Sequence, residues 1–197
     1  MLSHEQKKEK KKNIAKSTCE LFVKKGYVNI TINEIAKVAG IGKGTIYEYF
    51  KNKEEIVYEL MGCLQDNYDL KLKVKLSEDI SSKEKMLCLF DIYFNNDDVV
   101  KVQRQIYKEY LGVLMFKQSK EMSNFNTTMM SKYNNILVNI FDEAIKNNEI
   151  IEESKNFIPS IFATMEGFFI ANEDEKIMLE YIDDLFKLLK YNKKDVA

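Results

Sequence analysis

The sequence predicts an all-α protein, and three observations carry that prediction. Apolar residues recur at helical spacing along nearly the whole chain. One proline and seven glycines in 197 residues leave little material for the turns of a β fold. Helix-start signatures, a small polar residue followed by carboxylates, recur at Thr31, Asn52, Ser81, Asn96, Ser119 and Asn172.

The first helix carries an apolar stripe of Ile14, Thr18, Leu21 and Phe22, and Gly26 is placed to end it. Thr31 and Glu34 have capping-box spacing, and Ile30 and Ile35 have the spacing of a hydrophobic staple. A second helix therefore starts at about Ile32 and stops at Gly40. A third, over about residues 43–50, puts Ile46 and Phe50 on one face. Asn52 can cap a long fourth helix to about Val74, with Glu54 and Glu55 in the first turn where carboxylates favour the helix dipole. The later starts imply helices over about 82–95, 97–117, 121–147, 157–171 and 174–191, with Pro159 in a first turn. That makes about nine helices: a basic N-terminal module over residues 1–52, then a larger bundle over residues 53–197.

Charge divides along the same line. The net charge is −1, yet residues 1–53 hold twelve lysines against five glutamates, and the remainder holds 18 basic and 26 acidic residues. A basic module on an acidic body suits a polyanion partner at one end only, although lysine-rich solvated faces would give the same count. No run free of charged residues exceeds about ten positions, against the roughly 20 apolar residues of a membrane span. No membrane partner is therefore expected. The N-terminal stretch has no apolar core of a secretion signal, and Cys19, Cys63 and Cys88 are odd in number and far apart, which fits a reduced cytoplasm. The single histidine, His4, leaves no material for His-based catalysis or for the Glu-x-x-His pairs of a di-iron bundle. Asp97 and Asp98 begin a helix and lack partner ligands. Neither an enzyme nor a metal or other cofactor is implied.

The informative stretch runs from Ile32 to Phe50. Ala36 is small enough for a second helix to approach, and Gly40 accepts a left-handed turn at little cost. Ile41 plugs the space between two helices and Ile46 anchors the second to the first. This is the pattern of a helix-turn-helix, with an ordinary αα-corner as the plain alternative. On the second helix Lys43, Gly44 and Tyr47 fall within an arc of about 100° on the face away from Ile46. A glycine inside a helix costs about 1 kcal/mol against alanine, so Gly44 hints at a steric purpose.

These residues resemble the TetR family of transcriptional regulators. The likeness rests on Gly26-Tyr27, Thr31-Ile32-Asn33-Glu34-Ile35-Ala36, the run Ala39 to Tyr47, Tyr49-Phe50 and Lys53-Glu54-Glu55-Ile56, and covers about residues 10–60. Gly42 and Ile30 depart from it, where serine and threonine are common in the family. The resemblance implies a homodimer on double-stranded DNA, its two recognition helices in successive major grooves about 34–36 Å apart. It assigns Lys43, Gly44, Thr45 and Tyr47 to the groove, Asn33 to a base, and Thr31, Tyr49 and Lys53 to the phosphate backbone. Chemistry adds that Lys43 can donate to guanine and that Tyr47 can meet a thymine methyl. It adds too that Thr31 has a competing role as a helix cap. The module contains no arginine, because Arg104 is the only one in the chain, so an operator rich in A·T pairs is expected. The lysines at 7, 8, 10, 11, 12 and 16 suit a flexible arm over phosphates or a frayed, solvated tail.

The resemblance also implies a pocket in the bundle for a small effector that releases a repressor from its operator. Residues 60–170 are rich in aromatics and methionines, of which Met61, Tyr68, Phe90, Tyr93, Tyr107, Tyr110, Met129, Tyr133 and Met165 are the candidate lining and a plain core the alternative. Glu109 or Glu166, turned inward, would favour a cation. The last two helices carry more apolar surface than a lone surface helix buries, which either a four-helix dimer interface or packing within the subunit would cover. Two other readings share this pattern: a helical interaction protein and a DNA-binding protein without a ligand switch.

Overall fold

A computed structural model describes residues 3–116, 120–171 and 174–190. Among these residues there is no strand, and eleven α-helices occur. They are α1 (His4–Ser17), α2 (Cys19–Asn29), α3 (Ile32–Val38), α4 (Lys43–Tyr49), α5 (Lys53–Leu76), α6 (Ser82–Leu89), α7 (Asp91–Phe94), α8 (Asp98–Phe116), α9 (Lys120–Lys146), α10 (Ile158–Ala171) and α11 (Glu175–Leu189), with a 3-10 turn over Glu152–Phe157 before α10. The count exceeds nine because two expected helices are each broken. At the first break, Ser17 and Thr18 turn their hydroxyls back onto Ile14 O at 2.7 Å and Ala15 O at 2.6 Å, and α1 gives way to α2. At the second, Phe90 (φ −103°, ψ 8°) leaves the helical region with its ring fully buried, and separates α6 from α7.

The capping boxes form as the spacing predicts. Thr31 and Ser81 each accept from the amide three residues on, and Glu34 and Glu84 bond back. Asn52 Oδ1 accepts from Glu55 N at 2.9 Å at the start of α5. Elsewhere the cap shifts by a residue or two: Asp97 Oδ1 accepts from Val99 N at 2.8 Å, and Asp174 Oδ1 from Lys176 N at 2.8 Å. Ser119 and Asn172 lie outside the described residues.

The lysine-rich N-terminus is helical, which corrects the expectation of a flexible arm or frayed tail. Ser3 and Gln6 form a capping box, so α1 begins at His4. Lys12 Nζ lies 2.9 Å from Asp66 and Lys11 Nζ 3.5 Å from Glu59, both on α5, while Lys7, Lys8 and Lys10 are exposed. Such partly exposed pairs add little stability, yet they give α1 a fixed side against α5.

The chain packs as two compact units. Met1–Leu70 and Asp97–Ser123 form one, in which α1 packs on α2, α2 on α8, and α3 on α4. Its buried side chains include Phe22, Ile35, Ile46, Phe50, Ile56 and Tyr110. Lys71–Asn96 and Asn124–Ala197 form the other, in which α11 packs on α6 and α7. A chain of rings runs through this second unit. Tyr93 lies 5.2 Å from Phe169 and 6.1 Å from Phe90, and Phe162 lies 4.8 Å from Phe90 and 6.4 Å from Tyr133. Buried Lys85 meets both oxygens of Glu143, at 2.6 and 2.7 Å. Most of the apolar residues of α10 and α11 are covered within this unit, and Ile170, Ile177, Leu179 and Leu188 remain exposed.

Among the described residues, no helix is long and apolar enough to cross a membrane, and no group of three or more His, Cys, Asp or Glu could hold a metal ion.

Phe90→Ala tests how closely this second unit is packed. Removing a fully buried ring should lower the unfolding free energy by about 3–5 kcal/mol in urea titrations. A loss below about 1 kcal/mol would mean that the ring faces open space instead.

Candidate nucleic-acid interface

The interface is built on α3 and α4. After Val38 the chain turns through Gly40, whose φ of 65° lies in the left-handed region. Gly40 N donates to Lys37 O at 3.2 Å and Ile41 N to Ala36 O at 3.0 Å, which is the Schellman pattern of a helix end. Ala36 is buried, and Ile46 on α4 is fully buried, so the small residue and the anchor have the roles their spacing predicts. Phe50 closes α4, donating its amide to Ile46 O at 2.9 Å with its ring buried.

With Ile46 and Phe50 turned inward, α4 presents its other face. Lys43, Gly44, Tyr47 and Glu48 are exposed, and Thr45 and Tyr49 are half-buried. Tyr47 is 53% exposed, a large aromatic left in water one helical turn after the exposed Lys43, and Lys37 of α3 is exposed as well. A Cβ built on Gly44 would meet nothing within 4 Å, so packing within the chain does not demand a glycine there. Asn33 is exposed on the first turn of α3.

Two of the three residues assigned to phosphates, Thr31 and Lys53, are engaged inside the chain. Thr31 Oγ1 accepts from Glu34 N at 3.3 Å and lies 2.8 Å from Glu34 Oε2, to which it donates. Lys53 Nζ donates to Ile30 O at 2.8 Å and Val28 O at 3.3 Å, and sits 4.3 Å from the centre of the Tyr27 ring. It therefore places a cation at the C-terminal end of α2, where the helix dipole favours one. The Tyr27 hydroxyl donates to Glu54 Oε1 at 2.7 Å; burial first, and this carboxylate second, push its pKa well up.

The nine candidate effector contacts fall into two groups. Met61, Tyr68, Tyr107 and Tyr110 belong to the first unit, where Tyr107 and Tyr110 stack with centroids 6.3 Å apart. Phe90, Tyr93, Met129, Tyr133 and Met165 belong to the second, three of them in the chain of rings through Phe162. Glu109 does not offer its charge to a cation: its Oε2 accepts from Tyr27 N at 2.6 Å, and the carboxylate is turned to α2. Sequence reasoning missed this contact because 82 residues separate the partners and Glu109 belongs to no motif. It also passed over two exposed lysines of the same module, Lys37 on α3 and Lys51 between α4 and α5.

Glu34 gives the module a pH signature. Lys25 first, then the amide and hydroxyl of Thr31, hold its carboxyl at about 2, down from 4.5. A depressed folded pKa contributes stability that is complete above the ordinary value and is lost as pH falls toward the folded one. The thermal midpoint of the wild type should therefore exceed that of Glu34→Gln by a constant margin above about pH 5, most of which is lost by about pH 2. A margin undiminished at pH 2 would contradict the assignment.

Comparison with known proteins agrees with this geometry. Residues 14–60 match the family model described as bacterial regulatory proteins, tetR family. The chain is 30% identical over 151 residues to the fatty acid metabolism regulator protein of Bacillus subtilis, covering 75% of this chain and 74% of that one. An HTH-type transcriptional regulator of Staphylococcus aureus (strain MRSA252) is 27% identical over 177 residues, covering 79% of this chain and 93% of its own. In fold, the crystal structure of a TetR-family transcriptional regulator from Cytophaga hutchinsonii aligns with a TM-score of 0.77 at 18% identity, over 98% of this chain and all of that one. A short helix turned outward by Ile46 and Phe50, a family model lying over that helix, and relatives that span most of the chain converge on one conclusion: the chain belongs to the tetR family of bacterial regulatory proteins and is a DNA-binding transcriptional regulator.

Proposed function

We propose that the protein is a cytoplasmic homodimeric repressor that holds a palindromic operator and is released from it by a small, largely apolar effector. Residues 1–52 read DNA, and residues 53–197 bind the effector and the second copy. The observation that carries the reading is Gly44. A glycine stands on the exposed first turn of α4 where the chain has room for a side chain, which supports a close approach of a partner to the α4 backbone. A groove wall is the partner proposed. Lys43 and Tyr47 flank Gly44 on the exposed face and are the groove-reading pair, with Thr45 and Asn33 beside them.

Thr31, Tyr49 and Lys53 are the backbone contacts in this reading. Thr31 and Lys53 would have to share their present partners with phosphate oxygens, and both hold the turn that leads into α3. Dimerisation uses α10 and α11, whose uncovered residues Ile170, Ile177, Leu179 and Leu188 support it. The effector contacts are Met61, Tyr68, Phe90, Tyr93, Tyr107, Tyr110, Met129, Tyr133 and Met165. Methionine and aromatic walls adapt to bulky apolar guests, and the name of the Bacillus subtilis relative makes an acyl chain the form of effector to test first.

Gly44→Ala separates the DNA role from a structural one. On the first turn of α4, where a Cβ meets nothing within 4 Å, the change should leave stability unchanged or raise it by up to about 1 kcal/mol. Affinity for duplexes selected from random DNA by the wild type should fall about tenfold, measured by fluorescence anisotropy at fixed salt. Unchanged affinity would refute the groove contact. The selected duplexes themselves should carry A·T-rich half-sites centred about ten base pairs apart, and G·C-dominated half-sites would refute the shape-reading argument. For the effector, long-chain fatty acids and their thioesters should raise the melting temperature and release the selected duplex. Release by neither would exclude the acyl-chain effector.

A further inference from the structure

The contact between Glu109 and the end of α2 has consequences for DNA binding. Gly26 interrupts α2 with φ 69° and ψ 159°, a region that essentially only glycine occupies. The break takes the amide of Tyr27 out of the helical ladder, and a buried or half-buried amide without an acceptor is costly. Glu109 on α8 supplies the acceptor, its Oε2 lying 2.6 Å from Tyr27 N. A hydrogen bond to a charged acceptor is about twice as strong as a neutral one. Gln105, one turn earlier on α8, lies 3.4 Å from the other oxygen with its amide nitrogen and steadies the carboxylate. A Cβ on Gly26 would stand 3.1 Å from that same oxygen, so the backbone angles call for glycine here and a side chain would also press on the Glu109 carboxylate.

The segment held in this way is the entrance to the DNA-reading helices. Tyr27 precedes Thr31, the cap of α3, by four residues, and Asn33 follows on the first turn. Lys53 of α5 holds the same segment through Val28 O and Ile30 O. Two helices outside the helix-turn-helix thus hold the segment that leads into α3, and α4 packs on α3. From this we infer that Glu109 is a positioning residue for DNA binding: it touches no base or phosphate, and acts by holding the Gly26–Thr31 turn so that α3 and α4 meet the groove together. The affinity part of this inference rests on the operator reading above; the ordering of the turn does not.

The test uses full-length Glu109→Ala, Glu109→Gln and Gly26→Ala with two readouts. The first is native-state amide exchange at Tyr27 and at the start of α3. The second is affinity for the duplex selected by the wild type, measured across salt concentrations. In Glu109→Ala, exchange at Tyr27 should speed up at least tenfold while α9 to α11 keep their protection, and affinity should fall about tenfold. The slope of affinity against salt should stay the same, because no phosphate contact is lost. Glu109→Gln keeps an acceptor oxygen and should stay within about threefold of the wild type on both readouts. Gly26→Ala should behave like Glu109→Ala. Wild-type exchange at Tyr27 in Glu109→Ala, wild-type affinity despite faster exchange, or a shallower salt slope would each overturn the inference. If the wild type selects no duplex, the operator reading fails, and the exchange arm alone decides whether Glu109 orders the turn.

Discussion

A seven-residue helix does not hold together in water, because too few propagating hydrogen bonds offset the entropy of its nucleus. α4 exists because Ile46 and Phe50 are buried against the rest of the first unit, and because the Gly40 turn delivers the chain at the right angle. Every statement about DNA depends on that tertiary support. Burial of the two anchors decides which side chains face out, and exposure of the others is its consequence. The N-terminus of α4 adds nothing of its own, since Gly42 has no side chain to cap it.

The same economy recurs around the entrance to α3. Thr31 and Lys53 are polar residues suited to phosphates, yet in the free chain each satisfies main-chain groups that would otherwise lack partners. In the proposed reading, stability and recognition draw on the same atoms. Phosphate oxygens arriving there would compete with Glu34 and with the carbonyls of α2, which would link DNA binding to the order of this turn. The Lys25–Glu34 pair and the Glu109–Tyr27 bond hold the turn from other sides.

Local signals were legible in the sequence wherever a few neighbouring residues settle the outcome. The capping boxes at Thr31 and Ser81, the cap at Asn52, the glycine turn at position 40 and the inward pair Ile46 and Phe50 all follow from spacing alone. The all-α class and the tetR-type module were readable for the same reason. The breaks at Thr18 and Phe90 were not, because a hydroxyl bonding back within its own helix, or a ring pulled into a cluster, leaves no periodic mark. The lysine run of α1 looked like a tail because its partners, Glu59 and Asp66, lie some fifty residues away. Glu109 was legible only as an acidic residue on a helix. Its direction toward Tyr27 is a property of how α8 packs on α2, which no local pattern encodes.

The central claim is that the outward face of α4 enters the major groove of a duplex. Photo-cross-linking to selected duplexes carrying 5-iodouracil in place of single thymines tests it most directly. The account predicts that peptides containing Tyr47 are joined to major-groove positions in two half-sites about one helical turn apart. Cross-links confined to α9, α10 or α11, or to a single site without a symmetry mate, would contradict it.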